Sequence, residues 1–153
     1  MKKYVIVAIL LINMKSMSQE NNLFFDHQAL IVKNLKKTGD FYTDILGLEE
    51  IPVGAGQDPP KRWFKTNNGK EIHLIQSKSE INELPKSIHM AFSPTNFESF
   101  IDNLKKNKID YSNWKGELNM IQERVDGQRQ IWIQDPQGYW IEINDIRSKP
   151  NLQ

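Results

Sequence analysis

No cysteine occurs among the 153 residues. That excludes a disulfide framework, a thiolate zinc site and a cysteine nucleophile. Histidine is scarce as well: there are three, so any imidazole chemistry must draw on His27, His73 and His89. Neither sign of charge dominates, since 20 Lys and Arg stand against 19 Asp and Glu for a net charge of +1. No basic stripe is present, which argues against a nucleic-acid partner. No apolar run is long enough to cross a bilayer, which takes about 20 residues; residues 4–12 make the longest, with nine. What remains is a globular composition, 10% aromatic with four Trp, at a length suited to one domain with a real core.

The first eighteen residues differ from the rest. Lys2 and Lys3 precede the apolar run, and Ser16 and Ser18 place small residues at the −3 and −1 positions of a cleavage site. This pattern predicts a secretory signal peptide over 1–18, cleaved after Ser18. The protein is then expected to be exported, periplasmic or secreted, with no membrane attachment after cleavage. A lipid anchor would need a cysteine at the cleavage site. The loss of Lys2, Lys3 and Lys15 leaves 17 cationic against 19 acidic side chains.

Beyond a loose stretch at 19–24, hydrophobic patterning predicts a strand over 25–32 and a helix over 35–46. Leu35, Thr38, Tyr42, Ile45 and Leu46 share one face of that helix. Asn34 is placed to cap it and Gly47 to end it. Strands are expected over 49–53, 62–66 and 71–76, with a Gly/Pro loop at 54–60 and a hairpin turn at Asn67, Asn68 and Gly69. A polar linker fills 77–86. The order then repeats, with a strand over 87–93, a helix from a Thr95 or Asn96 cap to about residue 106, and strands over 109–114, 130–134 and 139–144. Residues 115–127 read as an irregular excursion and 146–153 as a tail.

The repeat can be counted. The helix face begins eight residues after His27, at Leu35, and eight after His89, at Phe97. Gly69 stands four residues before His73, as Gly138 does before Glu142. Two βαβββ units follow, modules 25–77 and 86–146 of a single α+β domain over 25–146, with internal pseudo-symmetry. Each unit offers one ligand position in its first strand and one in its last: His27 and His73, then His89 and Glu142.

A single strand histidine is more often a satisfied core residue than a ligand, and Glu142 between two isoleucines would suit a solvent-facing position. All three histidines falling on repeat-related positions reverses that weighting. Three imidazoles and a carboxylate suit one divalent ion of Zn, Ni, Co, Mn or Fe. If two four-stranded sheets curl around one cavity, His27, His73, His89 and Glu142 can all point into it. Strand alternation puts Trp140 and Asn144 on the face of Glu142, and Glu71 on the face of His73. Trp140 and Asn144 are thus candidates to bind substrate, and Glu71 to orient a ligand or serve as an auxiliary base. Arg62, at a strand start, is a candidate for an anionic substrate group; Arg129 occupies a similar position.

The segments F-Y-T-D-I-L-G-L at 41–48, H-Q-A-L-I-V from His27, H-M-A-F from His89 and, most specifically, I-Q-D-P-Q-G-Y-W-I-E-I at 133–143 resemble the vicinal oxygen chelate superfamily. This is the group of glyoxalase I, fosfomycin-resistance and bleomycin-binding proteins, methylmalonyl-CoA epimerase and extradiol dioxygenases. The resemblance spans about residues 25–145. It implies paired modules around a metal in a cup-shaped cavity, with ligand positions at His27, His73, His89 and Glu142. Where glyoxalase I usually carries a carboxylate, this chain has His73, and some family members leave that slot unliganded. The expected function is an exported, divalent-metal-dependent, glyoxalase-like lyase or isomerase. Its small-molecule substrate would chelate the metal through vicinal oxygens, with Glu142 as the base. The alternatives are an Fe(II) ring-cleaving dioxygenase using His27, His89 and Glu142, and a metal-free binding protein. Family sites form within one chain or across a homodimer, and linker length alone does not decide between them.

Overall fold

Two asparagines start the two helices. In this computed structural model, which describes residues 23–148, the Asn34 side chain accepts from the Lys37 N–H and that of Asn96 from the Ser99 N–H, both at 2.9 Å. Each satisfies a backbone donor that the first helical turn leaves without a partner. Helix α1 spans Leu35–Asp44 and α2 spans Phe97–Lys106. Gly47, at φ 68°, carries the chain out of α1, a conformation glycine adopts without steric penalty. The signal-peptide expectation for 1–18 lies outside the described residues. Among those described, no helix is long and apolar enough to cross a membrane.

The strands are β1 His27–Val32, β2 Glu49–Ile51, β3 Lys61–Lys65, β4 Glu71–Gln76, β5 His89–Phe92, β6 Gln122–Glu123, β7 Arg129–Gln134 and β8 Trp140–Asn144. They form two four-stranded sheets, β1-β4-β3-β2 and β5-β8-β7-β6. In each, the first strand pairs in parallel with the last, because a helix carries the chain across between them. The remaining pairs are antiparallel. This is the expected α+β pair of βαβββ modules. The two sheets do not close on one another into a single one.

One apolar cluster serves both modules. Leu30, Val32, Phe64, Ile72 and Leu74 of the first sheet meet Phe41 and Tyr42 of α1. Ile131, Ile133, Ile141 and Ile143 of the second belong to the same cluster, with Phe97, Ile101 and Leu104 of α2. Polar ties cross between modules: Tyr42 O–H donates to Asp135 Oδ2 at 3.2 Å, Tyr139 O–H to the Ile31 carbonyl at 3.0 Å, and the Lys33 N–H to Gln137 Oε1 at 2.7 Å.

The second module departs from expectation at its outer edge. Residues 109–114 form no regular strand, and the fourth strand is β6, inside the stretch read as irregular. Ser112 exchanges both backbone hydrogen bonds with Trp132 at 2.9 Å. The chain then turns away through Gly116, at φ 90°. It returns to pair Gln122 with Gln130 and Glu123 with Arg129. The edge of β7 is thus divided between two segments, each too short to show a two-residue hydrophobic period. At the C-terminal end, part of the expected tail is ordered as a 3-10 turn, Ile146–Ser148.

Candidate functional site

Burial on one side of each strand decides what the other side presents. In β1, Leu30 and Val32 go to the core, so His27, Ala29 and Ile31 face the opposite way. In β4, Ile72 and Leu74 are buried, which puts Glu71, His73 and Ile75 on the inner face. The core residues Ile141 and Ile143 do the same for Trp140, Glu142 and Asn144 in β8, and Ile131 and Ile133 for Trp132 in β7. In β5, Met90 and Phe92 pack toward the core, leaving His89 and Ala91 on the inner side.

The two inner faces repeat in register. Ala29 lies opposite His73 as Ala91 lies opposite Glu142, and Trp63 lies opposite His73 as Trp132 lies opposite Glu142. A small residue on one side and a tryptophan on the other thus flank each last-strand ligand position. The Trp63 and Trp132 indole N–H groups are buried without a hydrogen-bond partner.

In the second half-site, His89 Nε2 lies 3.4 Å from Glu142 Oε2. Glu142 is 8% exposed, and its Oε1 accepts from Asn144 Nδ2 at 3.0 Å. His89 Nδ1 lies 2.8 Å from the Lys86 carbonyl oxygen. A carbonyl only accepts, so Nδ1 carries a proton, and Nε2 is the ring nitrogen that faces Glu142. Trp140 donates its indole N–H to the Leu84 carbonyl at 3.0 Å and forms a wall. Asn144 is spent on holding the Glu142 carboxylate.

In the first half-site, three rings stack. Trp63 lies 4.2 Å from His73, and His73 lies 4.4 Å from His27, with interplanar angles of 13° and 16°. His27 Nδ1 sits 2.7 Å from Asp26 Oδ2 and His73 Nε2 sits 2.8 Å from Glu71 Oε2. These carboxylates favour a proton on the facing nitrogen, leaving His27 Nε2 and His73 Nδ1 as acceptors. Lone pairs lie in the ring planes, so two parallel stacked imidazoles aim them side by side rather than at a common point. For both to hold one ion, a ring would have to tilt out of the stack.

The four expected ligands therefore form two pairs on two sheets. Among the described residues no group of three or more His, Asp or Glu side chains is gathered as a metal site. Arg62 does not share their surface. It lies on the helix side of β3, with Nε and Nη2 paired to Glu50 at 2.8 and 2.6 Å and Nη1 to Asp40 at 3.0 Å. Gly39 of α1 makes room, since a Cβ there would stand 2.1 Å from Arg62 Nη1. Arg62 thus ties helix to sheet and stands apart from the histidines. A recess of about 780 Å³ opens beside it, lined by Lys33, Lys36, Asp40 and Glu50 among others, away from the histidines. Arg129 is likewise occupied, by Asp145 and Glu98. Asp26 and Lys86 were missed as partners of the site. Asp26 had a signal, being adjacent to His27; Lys86 sat at the end of an unremarkable polar linker.

The family model described as Glyoxalase/Bleomycin resistance protein/Dioxygenase superfamily matches residues 24–143. Solved structures share the architecture. "Oxidase ChaP-H2" aligns with a TM-score of 0.68 at 23% identity, covering 81% of this chain and 94% of that one. A mutant of the fosfomycin resistance protein FosX from Listeria monocytogenes, complexed with Mn(II) and 1S,2S-dihydroxypropylphosphonic acid, aligns at 0.64 and 22% identity, covering 78% and 89%. Lactoylglutathione lyase from Agrobacterium tumefaciens aligns at 0.59 and 17% identity, covering 80% and 92%. No match was found among curated proteins.

Proposed function

The chain belongs to the Glyoxalase/Bleomycin resistance protein/Dioxygenase superfamily, and from that premise we propose that it is a divalent-metal-dependent enzyme of the lyase or isomerase kind, acting on a small molecule that binds the metal through neighbouring oxygens. One observation carries the reading: His89, its Nδ1–H held by the Lys86 carbonyl, turns Nε2 toward Glu142, a nearly buried carboxylate held by Asn144. A metal-ligating histidine usually donates its second ring N–H to a carbonyl in this way, which fixes the ring and leaves the other nitrogen for the ion.

The donor chemistry fits a divalent ion of the Zn, Ni, Co, Mn or Fe group. His89 and Glu142 would hold it from one sheet and His27 from the other, with His73 as a fourth donor or as the ring that supports His27. When bound, such an ion supplies Lewis-acid stabilisation of negative charge on a substrate oxygen. The chain's own residues do the rest. Glu142 is the base: loosened from the ion, its carboxylate would take a proton from the carbon beside a carbonyl and return it to the neighbouring carbon. Asn144 keeps the carboxylate oriented, and Trp132 and Trp140 wall the site against water.

Each chain offers two inner faces with two ligands apiece, and Ile31 on the first is 38% exposed. We therefore read the complete site as formed between two copies, the first module of one chain opposing the second of the other. A homodimer carrying about one divalent ion per chain is the expected result of size-exclusion chromatography with elemental analysis. Single His27→Ala and His89→Ala variants should each lose the ion. Mixed in equal amounts and allowed to exchange chains, they should regain about a quarter of an ion per chain, because random exchange makes about half of the dimers mixed and each mixed dimer rebuilds one of its two sites. A site within one chain would regain none, and a protein that takes up no divalent metal at all would overturn the enzyme reading.

Export belongs to the same proposal, supported by the pattern of the first eighteen residues. N-terminal sequencing of the protein from its native host should begin at Gln19; a retained Met1 would defeat it.

A further inference from the structure

We propose that Lys86 is a positioning residue for the candidate site: its side chain pins the Ser112–Trp114 segment against the tryptophans of β7 and β8, and so fixes the carbonyl that dictates the His89 tautomer. The inference rests on the reading of His89 as a ligand for its functional consequence only, since the tautomer can be observed in metal-free protein.

The Lys86 ammonium has three N–H donors, and three acceptors on one segment receive them: Ser112 Oγ at 3.1 Å, the Asn113 carbonyl at 2.8 Å and the Trp114 carbonyl at 3.3 Å. The same nitrogen lies over two indoles, 4.5 Å from the Trp140 centroid and 5.7 Å from that of Trp132. Burial pushes this amine below the usual lysine value, yet no donor is left without an acceptor. Both aromatic platforms belong to the site. Trp140 and Trp132 sit on the strands that carry and flank Glu142, and Trp132 meets the His89 ring edge-on at 6.5 Å. Trp114, at the end of the pinned segment, meets Trp132 edge-on at 5.5 Å.

The main chain of the same residue makes the decisive contact, as its carbonyl oxygen accepts from His89 Nδ1. Lys86 lies three residues before β5 begins, in a turn closed by the Ile88 N–H donating to the Pro85 carbonyl at 2.9 Å. The turn alone closes on one hydrogen bond, and the side chain adds five contacts that hold its carbonyl in one direction. With the anchor cut, either His89 nitrogen is free to carry the proton. In the wrong tautomer Nε2–H would face Glu142, and the lone pair would be withdrawn from the site.

Long-range nitrogen–proton NMR of the histidine side chains in the metal-free full chain reads the tautomer directly. Wild type should show His89 protonated on Nδ1. Lys86→Met, of similar length without the charge, should show a mixture and bind Co²⁺ about 10- to 100-fold more weakly. Lys86→Arg, which keeps donors and charge, should restore most of both. Should Lys86→Met fail to fold, Ser112→Ala removes a single acceptor and should give a smaller shift in the same direction. A purely structural lysine would lower the unfolding temperature and leave the tautomer untouched, and that result overturns the proposal. So does a wild-type His89 protonated on Nε2. Failure of wild type to bind Co²⁺ while the Lys86-dependent tautomer persists would instead remove the metal reading and leave the positioning role standing.

Discussion

Glu142→Gln is expected to weaken divalent-metal binding by about 100-fold or more and to shift the unfolding midpoint by no more than a few degrees. The asymmetry follows from what the substitution changes. Glutamine has the shape of glutamate and keeps an amide oxygen to accept from Asn144 Nδ2, so the local packing survives. The negative charge facing His89 Nε2 at 3.4 Å is lost. A neutral amide is a poor ligand for a divalent ion and no base, so turnover should fall with affinity, by about 100-fold or more. Glu71→Gln makes the informative control. Glu71 touches His73 rather than the ion-facing pair, and its loss should cost far less. Equal metal affinity of wild type and Glu142→Gln, measured by competition with a chelator, would remove Glu142 from the site.

The largest stability effect is expected at the tie between modules. Asp135 is 4% exposed. It accepts from the Tyr42 hydroxyl on α1 and from the backbone N–H groups of Gln137 and Tyr139. Asp135→Ala leaves these donors without an acceptor in a site that is mostly shut off from water. At about 1–3 kcal/mol for a stranded buried polar group, a loss of about 3 kcal/mol or more is expected from denaturant unfolding. Asp135→Asn keeps an oxygen for both backbone donors and should stay within about 1 kcal/mol of wild type. The pH dependence separates the variants further. Burial raises the Asp135 carboxyl above its ordinary value of 3.8, against hydrogen bonds that lower it. The folded protein therefore holds this proton to higher pH than the unfolded chain does. The associated stability is full below the ordinary carboxylate value and is lost as pH rises through the folded value. Asp135→Asn should abolish that component; an unchanged profile in the variant would assign it elsewhere.

Several features of the site were legible before any fold was known. Asn34 and Gly47 bracket α1 because capping and positive-φ chemistry depend on a few adjacent residues. The eight-residue spacing from His27 to Leu35 and from His89 to Phe97 survives as the distance from the first residue of β1 or β5 to the first residue of its helix. Trp140 and Asn144 share a face with Glu142, as two-residue alternation requires. The place of Arg62 on the helix side was not legible, because alternation states that it opposes Trp63 but not which of the two meets the core. Phe64 was buried, and that put Arg62 against α1 with Glu50 and Asp40 waiting. The strand expected at 109–114 failed because one backbone exchange at Ser112 leaves no periodic trace, and the two-residue β6 leaves even less.

The chain's own pattern determined the two βαβββ modules, the helix limits and the placement of His27, His73, His89 and Glu142 on repeat-related strand positions. These follow from pleat alternation, helix periodicity and capping, which act between residues a few positions apart. The tertiary structure alone decided which partner meets each histidine nitrogen and that Arg62 ties helix to sheet. It also decided that the four ligand positions stand as two pairs on separate sheets rather than as one cluster. The reason is physical: a tautomer or an ion pair is set by whichever acceptor packing brings within hydrogen-bond reach. Lys86 reaches Ser112 from 26 residues away, and no local pattern encodes that meeting.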